Sequence, residues 1–410
     1  MKKPWMATAV LLVLVCAPTH GDDTQPPEPA ELHLPPWLEP MAPAEPDHAA
    51  DKPLGLRAAF ELRSPPAPSS NGLEPAARPS VVSDVRPASA QILGFDDSPK
   101  ALELLHADAA NLAFEARSLG DFNDLIELCQ PAIESGSPHA ARLKRLAAWA
   151  YDRRGELRLD HDPHTAFDDF QNAVILDPRS AAALNHRGLV LAEHGKLAEA
   201  VEDFSRVLAI EPDHAAAQRN RAEALSQLGR YEEAIADLSA VIDPTAPDPA
   251  ALAARGFAYH ATGKLREALA DLNQSIRSAP MESDTWTLRA NVYAEAGFYQ
   301  QAVDDLQQAL RLDPASRSAY LSTAWLLATC SEPRHRDPKT ALEAATRAKK
   351  LAKELDAHTL DVLAAAHASA GEFESAVRYQ EQALLLAADP QQTELRERLA
   401  RYRRGESFRR

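Results

Sequence analysis

The sequence predicts an all-α array of stacked helix-turn-helix units, preceded by a disordered N-terminal region and closed by a C-terminal capping helix. Three observations carry that expectation. Gly195, Gly229, Gly263 and Gly297 stand 34 residues apart, and a fixed period of that length marks a repeat architecture rather than a globular enzyme. Each period holds two apolar stripes at i, i+3, i+4 spacing, hence two amphipathic helices, with the glycine just past the first. Pro212, Pro280 and Pro314 then follow the second stripe, where a residue without an amide donor ends a helix.

Residues 1–21 have the build of a secretory signal peptide: Lys2 and Lys3, an apolar run, then small residues before Asp22. The run is short for a membrane span of about 20 residues. Cleavage after Gly21 is the favoured reading. Lipidation at Cys16 is an alternative, against which bulky Val15 counts, and retention of the apolar segment is another. Residues 22–98 carry about half of the chain's 31 prolines together with alanine and acidic side chains, which points to an extended, disordered linker. The short patch at 54–62 reads as spacer before it reads as a docking motif.

The repeats follow. Residues 99–180 hold two divergent units, one near 106–139 on Leu112, Ala113, Gly120, Phe122 and Ala132, the other near 141–180 on Tyr151, Gly155, Ala166, Phe170 and Pro178. Residues 181–316 hold four regular units beginning at Ala181, Ala215, Pro249 and Ser283. Two more fill 317–390, marked by Tyr320, Ala324, Ala341 and Ala345, then by Leu360, Ala364, Gly371, Phe373 and Ala376. Residues 391–410 supply a capping helix and a basic tail, read first as cover for the last apolar face. Two units have longer turns, and both enter the second helix through Asp-Pro, with Asp162 or Asp337 as N-cap and Pro163 or Pro338 at the first helical position.

Small residues recur where paired helices approach: Gly188, Ala222, Gly256 and Ala290 on first helices, Ala200, Ala234, Ala268 and Ala302 on second helices. With the late proline and the aromatic residues around them, this pattern resembles the tetratricopeptide repeat (TPR) family. The resemblance implies a right-handed superhelical solenoid that binds partners on a concave surface lined by first helices. Positions there would include Asn185, Leu189, Arg219, Glu223, Phe257, His260, Thr287, Asn291 and Glu295, with Phe257 as an exposed aromatic. The regular Lys and Asn pattern by which chaperone-binding members clamp a carboxylate is not evident. The segment LLATCSEPRHRDPKTALEAATRAKKL, at 326–351, is similar to the closing portion of exported TPR proteins of planctomycete-like bacteria.

The net charge of -16 and the acidic repeats argue against nucleic acid as partner. Arg187, Arg221, Arg255 and Arg289 share one repeat position, and Asp203, Asp237, Asp271 and Asp305 follow sixteen residues later, with Asp169 matching in an earlier unit. Antiparallel packing of first and second helices predicts a structural ladder of ion pairs within or between units. A row of arginines gripping an anionic ligand is the alternative. His161 and His164 with Asp160 and Asp162 form the one compact metal-like cluster, but Asp162 has a capping explanation, so no metal is expected. Cys129 and Cys330 lie about six repeats apart, too far to bridge within a solenoid. Asn273-Gln274-Ser275 matches a glycosylation sequon inside a helix and reads as incidental. No nucleophile elbow, phosphate loop or zinc-protease motif occurs.

The sequence thus points to a non-enzymatic protein–protein interaction scaffold or adaptor, without cofactor, that binds a peptide or partner helix in envelope complex assembly. Export to the periplasm or envelope of a bacterium goes with it, and membrane contact follows only if the N-terminus is retained or lipidated. A tethered adaptor and an enzyme-associated regulatory subunit are the alternatives.

Overall fold

The computed structural model describes residues 96–137 and 140–409. The expected signal peptide, the patch at 54–62 and the linker up to residue 95 lie outside the described residues. Within them the chain is an all-α repeat array of seventeen α-helices. They form two compact units, one ending at Leu228 and the other starting at Gly229.

The first unit contains α1 (Pro99–Glu115), α2 (Leu119–Glu134), α3 (Ala141–Arg158), α4 (Pro163–Leu176), α5 (Ala181–Glu193), α6 (Leu197–Ile210) and α7 (Ala215–Gln227). Odd-numbered helices are the first helices of their repeats. Each helix from α1 to α6 packs on its successor, and α1, α3, α5 and α7 also touch in sequence, forming a row. Phe170, Phe204, Leu125, Leu143, Leu184 and Leu225 are the large side chains fully buried here.

The second unit contains α8 (Tyr231–Val241), α9 (Pro249–Ala261), α10 (Leu265–Ser278), α11 (Ser283–Glu295), α12 (Tyr299–Leu312), α13 (Arg317–Thr329), α14 (Pro338–Leu351), α15 (Ala357–Ser369), α16 (Phe373–Leu386) and α17 (Asp389–Arg403). The pairs α9–α10, α11–α12, α13–α14 and α15–α16 pack closely, and α9, α11, α13 and α15 again form a row. Leu272, Leu310, Leu360, Leu363 and Tyr402 fill the core. None of the described helices is long and apolar enough to cross a membrane.

Local chemistry explains the boundaries. Gly195, Gly229, Gly263 and Gly297 have φ of 73°, 75°, 77° and 83°, the left-handed conformation that ends a helix and that glycine adopts without a Cβ penalty. Asp162 accepts from the Thr165 amide at 3.2 Å and Asp337 from the Thr340 amide at 3.1 Å, so both long turns close on an Asp-Pro cap. Close approach requires glycine elsewhere: a Cβ on Gly188 would lie 2.7 Å from Phe204 Cε1, and one on Gly155 would lie 2.6 Å from Phe170 Cε1.

The earliest unit differs from its expected form. It begins at Pro99 rather than near 106, because Ser98 caps α1 by accepting from the Ala101 amide. Gly120 is not a turn glycine but the second residue of α2, where Ser118 and Asp121 form a reciprocal capping box.

Candidate functional site

The Arg/Asp series fixes how each first helix sits on its second. Arg187 donates through Nε and a terminal nitrogen to both oxygens of Asp203, each at 2.7 Å. Arg289 meets Asp305 in the same fork at 2.7 Å, and Arg255 meets Asp271 at 2.7 and 2.9 Å. In an earlier repeat Arg154 grips Asp169, with Arg158 adding a second cation at 2.8 Å. The aspartates are buried on their second helices, Asp237 among them. A planar guanidinium suits this two-pronged contact, which lysine would not reproduce.

The remaining guanidinium nitrogen reaches back to the preceding second helix, a contact that sequence reasoning missed. Arg221 donates to Ser205 Oγ at 3.1 Å, Arg255 to Ser239 Oγ at 3.2 Å and Arg289 to Asn273 Oδ1 at 2.7 Å. Ser205, Ser239 and Asn273 keep the 34-residue period, which was the available signal. These arginines therefore tie one repeat to the next, and their donors are committed to the protein rather than turned to a ligand.

The row positions divide by accessibility. In the first unit Leu189 and Arg219 are half-buried and Glu223 is exposed. Asn185 is buried instead and accepts at Oδ1 from Asn220 Nδ2 at 3.0 Å, joining α5 to α7. Desolvation nevertheless raises the Glu223 carboxyl above its ordinary value. In the second unit Asn291 is half-buried and Glu295 exposed. Thr287 is 1% exposed and spends its hydroxyl on the Ser283 carbonyl. His260 is also buried, with Nε2 3.0 Å from Glu295 Oε2, which links α9 to α11.

Phe257 corrects the expectation of an exposed aromatic. It is 3% exposed, packed with Leu272, Leu288 and Val292 and met edge-on by the Tyr231 ring at 6.0 Å. The Tyr231 ring comes from α8, the second helix of the preceding repeat, so this cover is invisible within one repeat. The accessible aromatic of this row is Trp325 on α13, which falls at the same repeat position as Leu189, Glu223 and Asn291. Beside it a cavity of about 20 Å³ between Asn291, Ser322, Trp325 and Cys330 has room for roughly one water.

A three-residue cluster with metal-like spacing exists, at a place the sequence did not single out. Asp152 and Glu156 on α3 and His186 on α5 bring ligand atoms within 4.8 Å of one another. His186 Nδ1 lies 2.8 Å from Asp152, while Nε2 lies 3.5 Å from Glu156. Each ring nitrogen thus faces its own carboxylate, the geometry of an imidazolium between two acids rather than of a ring offering one lone pair to an ion. Burial alone would lower His186, but the charge and hydrogen bond of Asp152 and the charge of Glu156 outweigh it and hold the ring above its ordinary value. Burial first, then Asp152, raises Glu156. By contrast Asp160, His161, Asp162 and His164 are all exposed, and Asp162 is occupied as the α4 cap.

Profiles described as tetratricopeptide repeat match residues 161–213, 191–256, 283–316 and 357–388. The chain carries tetratricopeptide repeats. No curated protein matches it. Among solved structures the TPR array is similar to that of YrrB, titled "a TPR protein with an unusual peptide-binding site", at 21% identity over 42% of this chain and 89% of that one, TM-score 0.39. It is also similar to the Cut9–Hcn1 hetero-tetramer of the APC/C, at 16% identity over 76% and 57%, TM-score 0.49. Yeast Tom70 matches at 15% identity over 74% and 64%, TM-score 0.42. TPR proteins mediate protein–protein interactions, and the family is typically non-enzymatic.

Proposed function

We propose that this TPR protein is a scaffold that binds an extended peptide or partner helix along a row of its first helices, and that it acts in complex assembly in the periplasm or cell envelope of a bacterium. The observation that carries the binding reading is that one repeat position is accessible within each unit, at Leu189 and Glu223 in the first and at Asn291 and Trp325 in the second, with Phe257 buried at the same position. Arg219 and Glu295 flank it. Apolar, aromatic and hydrogen-bonding groups alternate there on rigid helices, an arrangement suited to backbone and side-chain recognition with little loss of scaffold entropy.

Export rests on the lysines, apolar run and small residues of 1–21, and on the likeness of 326–351 to exported TPR proteins of planctomycete-like bacteria. The tethered-adaptor reading rests on Cys16 and the same apolar run. Mass spectrometry of the mature N-terminus separates them: Asp22 as first residue removes the tether, and a lipidated Cys16 removes simple secretion.

Affinity capture from an envelope fraction tests the binding reading. Full-length chains with Glu223→Arg or Asn291→Arg should lose a partner that wild type and an exposed second-helix variant, Gln301→Arg, both retain. Identical partner sets for all four chains would place the binding surface elsewhere.

A further inference from the structure

The last helix is followed by a segment whose course sequence periodicity does not suggest. After α17 the chain turns at Gly405, with φ of 71°, and runs back across the C-terminal ends of α15 and α13. Ser407 Oγ donates to the Ala368 carbonyl at 2.7 Å, and Arg409 donates to the Ala328 carbonyl at 2.8 Å. Those carbonyls lie in the last turns of their helices, which lack intrahelical donors and carry the negative end of the helix dipole. A hydroxyl and a guanidinium are therefore well matched to them.

Between these two contacts Phe408 packs on the cluster of Ala364, Ala368 and Tyr402. Its ring lies 5.9 Å from that of Trp325, the accessible aromatic of the binding row. Arg398 of α17 stands 5.5 Å from both rings and is anchored from below by Asp361 at 2.9 Å. The tail thus crosses from α15 to α13 and packs on the row's own Trp325. Ser407, Phe408 and Arg409 all remain partly accessible, and after burial the nearby charge of Arg336 also disfavours the charged form of Arg409.

We propose that Ser407–Arg409 is a built-in self-ligand: it occupies the Trp325 end of the row, and the partner segment received there is an extended peptide presenting an aromatic residue followed by arginine, which binds by taking the tail's place. This rests on the peptide-binding reading above and adds to it the chemistry of the ligand and a control on access. Upstream of Trp325 the row continues to Asn291 and Glu295, so a basic peptide longer than the tail gains an acidic contact that the tail does not make.

The test uses the full-length chain and a full-length Phe408→Ala/Arg409→Ala variant. The probe is a fluorescein-labelled peptide of residues 404–410, Arg-Gly-Glu-Ser-Phe-Arg-Arg, read by anisotropy. A short tether gives the intact tail an effective concentration on the order of millimolar, so the variant should bind the probe roughly tenfold more tightly than wild type. Trp325→Ala in the variant background should abolish binding, and a probe with serine in place of phenylalanine should not bind. Equal affinity for wild type and variant, no binding to the variant, or binding that survives Trp325→Ala would overturn the proposal. So would loss of hydrogen-exchange protection in α15 and α16 of the variant, which would make the tail a structural cap. If the tail fails these tests while partner capture still depends on Glu223 and Asn291, only this inference falls; if capture ignores those residues, the binding row itself falls.

Discussion

Replacing Arg289 by methionine should destabilise the second unit more than a surface substitution would. The Arg289 and Asp305 side chains are 15% and 7% exposed, and two contacts of 2.7 Å join them. Methionine keeps an apolar stem against Trp286, whose ring lies 4.9 Å from the guanidinium carbon, but it strands the Asp305 charge and removes the donor to Asn273. Stranding one member of a buried pair costs about 3–5 kcal/mol, whereas an exposed pair is worth about 0–1 kcal/mol. Replacing both residues, as Arg289→Met/Asp305→Leu, removes the stranded charge, so the double variant should recover most of the loss. Burial already holds Asp305 above the usual carboxylate range despite Arg289, and loss of the cation raises it further. A carboxyl raised in the folded state is penalised above its folded pKa and relieved below its unfolded one, so the single variant's deficit should shrink as pH falls through that window. Urea unfolding followed by circular dichroism, with native-state hydrogen exchange at α11 and α12, measures this, because repeats need not open as one. A deficit below about 1 kcal/mol, or a double variant less stable than the single, would mean that loss of Arg289 does not strand Asp305.

Three further outcomes are expected. Gly188→Ala places a Cβ 2.7 Å from the Phe204 ring, so thermal unfolding should show a loss of about 1–3 kcal/mol, less roughly 1 kcal/mol of helix propensity gained, and Phe204→Leu should restore part of it. His186 is held above its ordinary value of 6.5, so its contribution is complete below that pH and is lost as pH rises through the folded value; His186→Gln should flatten the stability of α3 and α5 across that range, measured by hydrogen exchange. Burial pushes the Cys129 thiol up to about 12, so a disulfide reagent at pH 8 should label it only on unfolding, and labelling of the native chain at the rate of a free thiol would contradict that packing.

What could be read from the sequence depended on whether a feature repeats. The turn glycines recur because the left-handed residue after each first helix has one cheap solution, and the small residues recur because the helices touch at one point per repeat. Arg255 and Asp271 lie on facing helices of the same repeat, so their spacing suffices to align them. Ser239 belongs to the repeat before, and a serine on a second helix looks like any solvated polar residue until that neighbour is placed. Phe257 shows the same blind spot: besides Leu272 of its own repeat, its cover comes from Tyr231 of the repeat before and from Leu288 and Val292 of the repeat after. Asp152, Glu156 and His186 form a cluster once two first helices are set side by side, yet among the described residues no other repeat copies it. The tail was least legible, because Arg409 meets the Ala328 carbonyl across 81 residues with no periodic partner.

Photo-crosslinking can show whether partners are recognised on the rows of first helices. A crosslinking amino acid at position 223 or 291 should capture the same protein partner in the cell envelope, and one at the exposed second-helix positions 202 or 301 should capture none. Capture of that partner from 202 and 301, with 223 and 291 silent, would contradict recognition on those rows.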